Sequence, residues 1–167
     1  GGKSNQNIEK DLRDTFATLN KEQIDTIARQ YQERFKRPMT TDLERRWLLS
    51  PESKQALEIY LKGSENRTSA DTQTLATIAI NSKNIDMMRE AFREASPEAR
   101  QTFLSKQGEQ KIREAFNARE TDIALDYVKL GRLDITTAIK HNSSFAGDNE
   151  QAIYFAASNM PDKQKAN

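Results

Sequence analysis

Apolar residues recur at helical spacing along nearly the whole chain, and no stretch alternates apolar with polar as a half-buried strand requires. Ile8, Leu12, Phe16 and Leu19 stand at i, i+4, i+8 and i+11, on one helix face. Ile24, Ile27, Ala28, Tyr31 and Phe35 continue at the same period until Pro38 interrupts. Start signals punctuate the pattern. Asn20 with Gln23, and Thr41 with Glu44, have the capping-box form, in which each side chain satisfies an otherwise orphaned N–H. Ser50-Pro51 and Ser96-Pro97 pair an N-cap hydroxyl with a proline at the first helical position, where its missing N–H costs nothing. Gly63, Gly108 and Gly131 fall where helices should stop. These signals predict an all-α fold, an orthogonal or solenoid-like bundle of roughly eight to ten short helices.

Length and charge bound the function. At 167 residues the chain is one domain or two small ones. Twenty-six basic and 25 acidic residues leave a net charge of +1, which lacks the one-signed excess expected of a protein devoted to nucleic acid or to a membrane surface. With no cysteine, disulfides and thiolate metal sites are excluded. No apolar run approaches the roughly 20 residues that span a bilayer. Gly1–Gln6 has neither an initiator Met nor a signal peptide's apolar core, and the chain reads as an excised fragment with Gly1-Gly2 as a cloning remnant. Ser64–Ser69, polar throughout, is the expected linker.

Two stretches resemble pieces of an annexin repeat, in reversed order. In Ile27–Leu43, the aromatics Tyr31 and Phe35, the basic Arg37 in the turn and the acidic-Leu pair Asp42-Leu43 match the repeat's third and fourth helices. The helix ending at Lys62-Gly63 then matches its last. Gly147-Asp148-Asn149-Glu150-Gln151-Ala152-Ile153 resembles the loop that enters the repeat's second helix, and Leu133–Lys140 its first. The resemblance divides the chain into 1–63, the end of one repeat; 64–131, helices without a counterpart; and 132–167, the start of another. Divergent annexin-like repeats of this polar kind occur in large bacterial multidomain proteins.

The resemblance implies calcium-dependent binding to phospholipid membranes, but the residues for it are mostly missing. Such a site needs a glycine-rich loop with converging carbonyls and a distant carboxylate. Phe145 stands where the first glycine belongs, Asp148 replaces the threonine, and Arg46 falls at the carboxylate position of the first match. Asp148 and Glu150 therefore read as helix-capping acids. Arg34, Lys36, Arg37, Arg45 and Arg46 beside Trp47 could meet phosphates, but Glu33, Asp42 and Glu44 interleave them. His141, the only histidine, reads as a cation at a helix end, and Asp11/Asp14 and Asp122/Asp126 as solvated faces. Met87-Met88 and Met160 read as packing.

No catalytic, cofactor or metal residue is assigned. The expected molecule is not an enzyme. It is a structural or protein-interaction module of a larger protein, its partner another protein or another domain of the same polypeptide; nucleic acid and membrane are disfavoured. The alternative is a calcium-dependent membrane adaptor. Ile27, Tyr31, Phe35, Leu43, Trp47 and Leu61 are expected in one buried cluster. Ile153, Tyr154 and Phe155 are expected to pack on the Ser69–Leu130 helices or to mediate self-association.

Overall fold

The computed structural model describes residues 5–45 and 49–148, with side chains from residue 7 onward. Ten α-helices and two short 3-10 turns make up the described chain, which contains no strand. The helices are α1 (Asn5–Ala17), α2 (Lys21–Phe35), α3 (Met39–Arg45), α4 (Pro51–Tyr60), α5 (Ser69–Asn81), α6 (Ile85–Arg93), α7 (Pro97–Ser105), α8 (Gly108–Ala115), α9 (Ala118–Leu130) and α10 (Ile135–His141). The all-α expectation holds.

Local chemistry sets the helix ends. Asn20, Thr68 and Asn117 each close a full capping box, with Gln23, Asp71 and Glu120 reaching back to the cap N–H. Ser50 and Ser96 cap α4 and α7 ahead of the N1 prolines. Left-handed residues follow several helices: Lys36 (φ 57), Lys83 (φ 51), Gly131 (φ 73) and Asn142 (φ 46).

Two helical hairpins share one design. α5 and α9 each have 13 residues and open on a capping box. Each is followed by a left-handed residue, Lys83 or Gly131, and two residues later by Ile85-Asp86, which opens α6, or Leu133-Asp134, which ends on the α10 N-cap. The second hairpin stacks on the first through α9, which covers α6. α6 lies between α5, α9 and α1, so Met87, Met88, Ala91 and Phe92 are all buried. α4 packs on α1 and α5, and α7 and α8 close the other side against α5 and α9. Burying aliphatic and aromatic side chains of this size stabilises by roughly 1.5–3 kcal/mol each. α10 packs mainly on α9 and on the 3-10 turn Ala146–Asp148.

Several expectations are corrected. Phe35 is 50% exposed. It is the last residue of α2, where the chain turns at Lys36, and it stacks on Tyr31 (centroids 4.8 Å apart) at the rim instead of entering the core. Met39 and Leu43 of α3 take the buried positions, while Ile27, Tyr31 and Leu61 are partly buried against the core. Thr41 does not open α3, which begins at Met39. Gly108 does not end a helix but begins α8; a Cβ there would lie 2.4 Å from the Phe103 ring, so only glycine permits this approach. Ile139 is 75% exposed. The expected linker is tied down at both ends: Ser64 N–H donates to the Leu19 carbonyl (2.9 Å), Glu65 accepts from Lys21 N–H (2.9 Å), and the Arg67 guanidinium lies 4.7 Å from the Tyr60 ring centroid. Arg46, Trp47, Glu150, Ile153, Tyr154, Phe155 and Met160 lie outside the described residues.

Candidate functional site

The most unusual chemistry lies where α1, α4 and α6 meet. Arg13 points from α1 into the interior and is 4% exposed. Its Nε donates to Glu90 Oε1 (3.2 Å) and its Nη1 to Ser53 Oγ (2.8 Å). Tyr60 Oη donates to the same Glu90 oxygen (2.9 Å). Glu90, on α6, is 2% exposed. Burial penalises its charge and pushes its pKa up to about 7, although Arg13 and the Tyr60 hydroxyl pull the other way. Burial, followed by the Glu90 charge, also raises the Tyr60 phenol well above its ordinary range.

The network continues outward. Ser53 Oγ donates to Glu9 Oε2 (3.1 Å), and Glu9 also accepts from the N–H and hydroxyl of Ser50 at the start of α4. An internal carboxylate thus occupies the positive end of that helix. A polar cleft of about 640 Å³ opens beyond it, lined by Glu9, Arg13 and Ser53 and rimmed by Lys83 and the Lys10–Asp86 pair (3.5 Å). Arg13 and Ser53 separate Glu90 from this cleft. Glu90 can hold a proton near neutrality but cannot pass it directly to a molecule in the cleft. Among the described residues no group of three His, Asp or Glu side chains could hold a metal ion.

A second charged node gathers two residues that the sequence reading treated separately. The helix that Asp148 is expected to cap lies outside the described residues. The Asp148 carboxylate faces back to α6 and takes two bonds from Arg89, Nε at 2.7 Å and Nη2 at 3.0 Å, and a third from the Tyr127 hydroxyl. Asp14 keeps its side chain 42% exposed and also accepts from Arg89 Nη1. Burial would raise the Asp148 pKa, but the bonds from Arg89 and Tyr127 outweigh it and hold the carboxyl below its ordinary value. Phe145 is buried, edge-on to Tyr127 (6.2 Å) and under the Arg89 guanidinium (5.0 Å). The residue in the place of the resemblance's glycine is therefore the hydrophobic anchor of this loop.

The remaining candidates are equally occupied. His141 Nε2 lies 2.8 Å from Asp122 Oδ2 and so ties α10 to α9 as well as standing at a helix end. The His141 bond first, then Lys140, lower the Asp122 pKa. Asp126 accepts from Asp134 N–H (3.1 Å). In the basic patch, Arg37 Nε donates to Asp42 (2.9 Å) and the Arg34 guanidinium lies 5.1 Å from the Phe35 ring centroid. Met87 and Met88 are core, as expected. Glu90 and Arg13 gave no sequence signal beyond being charges on amphipathic helices. Their positions in the apolar registers, Arg13 one residue after Leu12 and Glu90 two after Met88, were the only available clue.

One surface feature among the described residues is apolar. Ile135 (42% exposed) and Ile139 stand at i and i+4 on α10, and Leu130 (41% exposed) ends the preceding helix. No family model, curated protein or solved structure matches this chain. No helix among the described residues is long and apolar enough to cross a membrane.

Proposed function

We propose that the chain is a non-catalytic helical module that binds another protein or another helical unit of its own polypeptide, using the outer face of α10. The observation that carries this reading is the exposure of Ile135 and Ile139 one turn apart on α10, with Leu130 exposed at the end of α9. Among the described residues, Phe35 is the other large apolar side chain left exposed, and it stacks on Tyr31. Exposed apolar residues grouped on one face mark interaction surfaces more often than scattered ones do. The annexin-like reading belongs to the same proposal. Tyr31, Arg37 and Asp42, which carry the resemblance, meet at the α2–α3 turn, where Asp42 accepts from both the Tyr31 hydroxyl and Arg37 Nε. They serve there as a turn clamp.

A photo-crosslinking residue at position 139 tests the reading in cells producing the chain. A single adduct of defined mass is expected there, lost when Ile135→Asp is added, with the far-ultraviolet spectrum unchanged. The same label at exposed Glu98 should give none. Equal labelling from both positions, or none from 139, rejects α10 as the interaction surface.

A further inference from the structure

We infer that the cleft at the C-terminal ends of α1, α6 and α9 is a binding site for a phosphate monoester, gripped by Arg93 and Arg132. The site is separate from the α10 face, and it does not depend on the reading of that face.

Three helix ends meet here. Thr18 follows α1, Arg93 ends α6, and Gly131 and Arg132 follow α9, around a cleft of about 440 Å³. That volume is in the range of small-molecule sites. Gly147 keeps one edge of the cleft open, since a Cβ added there would meet no atom within 4 Å.

The two arginines are partly buried, and neither forms a hydrogen bond with a described residue. Arg93 Nη1 lies 3.8 Å from Asp14 Oδ1 and 4.0 Å from Asp148 Oδ1, beyond bonding distance. Arg132 acts on Asp134 only at longer range: the Thr136 bond, against burial, is the main cause that holds that carboxyl low, and Arg132 adds to it. Arg132 Nε is buried without a partner. A guanidinium carries five donors and a permanent charge, so leaving it out of water and unbonded is costly.

The internal acceptors that could engage these arginines are taken. Arg67 donates to the Ala17 carbonyl at the end of α1, and Arg100 Nη1 to the Lys129 carbonyl near the end of α9 (2.7 Å). Asp14 and Asp148 take their arginine bonds from Arg89. Glu94, exposed at the rim, acts on Arg67, whose pKa burial lowers and Glu94 is among the groups to raise. The other buried side-chain nitrogens without a partner among the described residues, Arg67 Nε and Nη1 and Arg100 Nε, also belong to the arginines of these helix ends. Donors outnumber acceptors at this end of the molecule.

An oxyanion supplies what is missing. Two unengaged guanidinium groups present two positive charges. A phosphate monoester carries about −1.5 to −2 near neutrality and three strong acceptor oxygens. The planar N–H forks of arginine match its edges two bonds at a time. A carboxylate, with one charge and two oxygens, satisfies one arginine and leaves the other.

Titrating the isotope-labelled full chain with glycerol 3-phosphate at constant ionic strength tests the site by amide shifts. Saturable shifts are expected at Thr18, Glu94, Gly131, Arg132 and Gly147. Arg93→Gln and Arg132→Gln should each weaken binding roughly tenfold or more, the effect of losing charge-assisted bonds. Arg119→Gln, the same charge change on exposed surface at the far end of α9, should leave it unaltered. Gly147→Glu keeps both arginines and adds a carboxylate at the cleft edge, and it should weaken binding severalfold. Acetate should bind at least tenfold more weakly than the ester. Equal losses in the three arginine variants, unaltered affinity in Gly147→Glu, or linear shifts scattered over surface lysines (an adventitious ion only) would each overturn the inference. Phosphatidic acid carries the same monoester on a membrane. The chain should stay in solution with vesicles containing it; sedimentation with them, without shifts from glycerol 3-phosphate, would overturn the assignment to a soluble ester.

Discussion

Replacing Glu90 by glutamine should remove a pH dependence of stability that the native chain carries between about pH 5 and 8. Glu90 titrates near 7 in the folded chain against an ordinary value of 4.5, a difference of 7 − 4.5 = 2.5. At 1.36 kcal/mol for each factor of ten in proton affinity, this is about 3 kcal/mol. The sign follows from the direction. The folded carboxyl binds its proton more tightly than the unfolded one, so its contribution is fully present below pH 4.5 and is lost as pH rises through 7. The carboxylates with lowered pKa values, Asp71, Glu109, Asp122, Asp134 and Asp148, act in the opposite sense and below this window. Urea unfolding followed by circular dichroism, from pH 5 to 8.5 on the native chain and on Glu90→Gln, isolates the effect as a difference. The stability of the native chain minus that of the variant should fall by about 3 kcal/mol across the range. A flat difference, within about 0.5 kcal/mol, would refute the argument. A rise would show that the Arg13 ion pair outweighs the burial of the charge.

Phe35→Ala should cost less than about 1 kcal/mol, whereas Phe92→Ala, at a fully covered position, should cost about 3–5 kcal/mol by the same urea assay. Arg89→Met leaves the Asp148 carboxylate without its two arginine bonds and should cost roughly 3 kcal/mol or more. Hydrogen exchange of residues 142–148 should accelerate well beyond that of α5 in the same variant. Calcium at 1 mM should give no saturable heat by calorimetry and no chelator-reversible sedimentation with anionic vesicles, because Phe145 is committed to the core and Asp148 to Arg89. A saturable heat with reversible sedimentation would favour a membrane adaptor over a protein-binding module.

Helix identity was legible from period and capping chemistry because both act within a few residues. The capping box at Asn20 and the serine-proline starts at residues 50 and 96 stand where the pattern places them. Errors arose where tertiary packing overrides the local signal. Gly108 resembles a stop, but its small size serves contact with Phe103, five residues earlier: the ring, not a helix end, requires it. Phe35 shares a helix face with Tyr31, but a helix end can hang past the core that the rest of its face meets. The charged junctions were not legible, because their partners are 77 and 59 residues apart and each member alone looks like an ordinary surface charge.

Those junctions together set how α1 meets α6. Arg13 and Asp14 are successive on α1, and Arg89 and Glu90 are successive on α6. The charge order, arginine then acid, is the same on the two helices, and the pairs cross: Arg13 with Glu90 and Asp14 with Arg89. Exchanging partners would bring arginine against arginine and carboxylate against carboxylate. The inner pair is buried, where an unmatched charge costs several kcal/mol, and the outer pair is partly exposed, where the attraction alone contributes little. The buried pair therefore supplies most of the penalty against a wrong register, and the outer pair links that register to Asp148 through the shared Arg89 guanidinium. α1, α6 and the loop before residue 149 are fixed as one unit, and this holds the α10 face at a defined angle to whatever docks there.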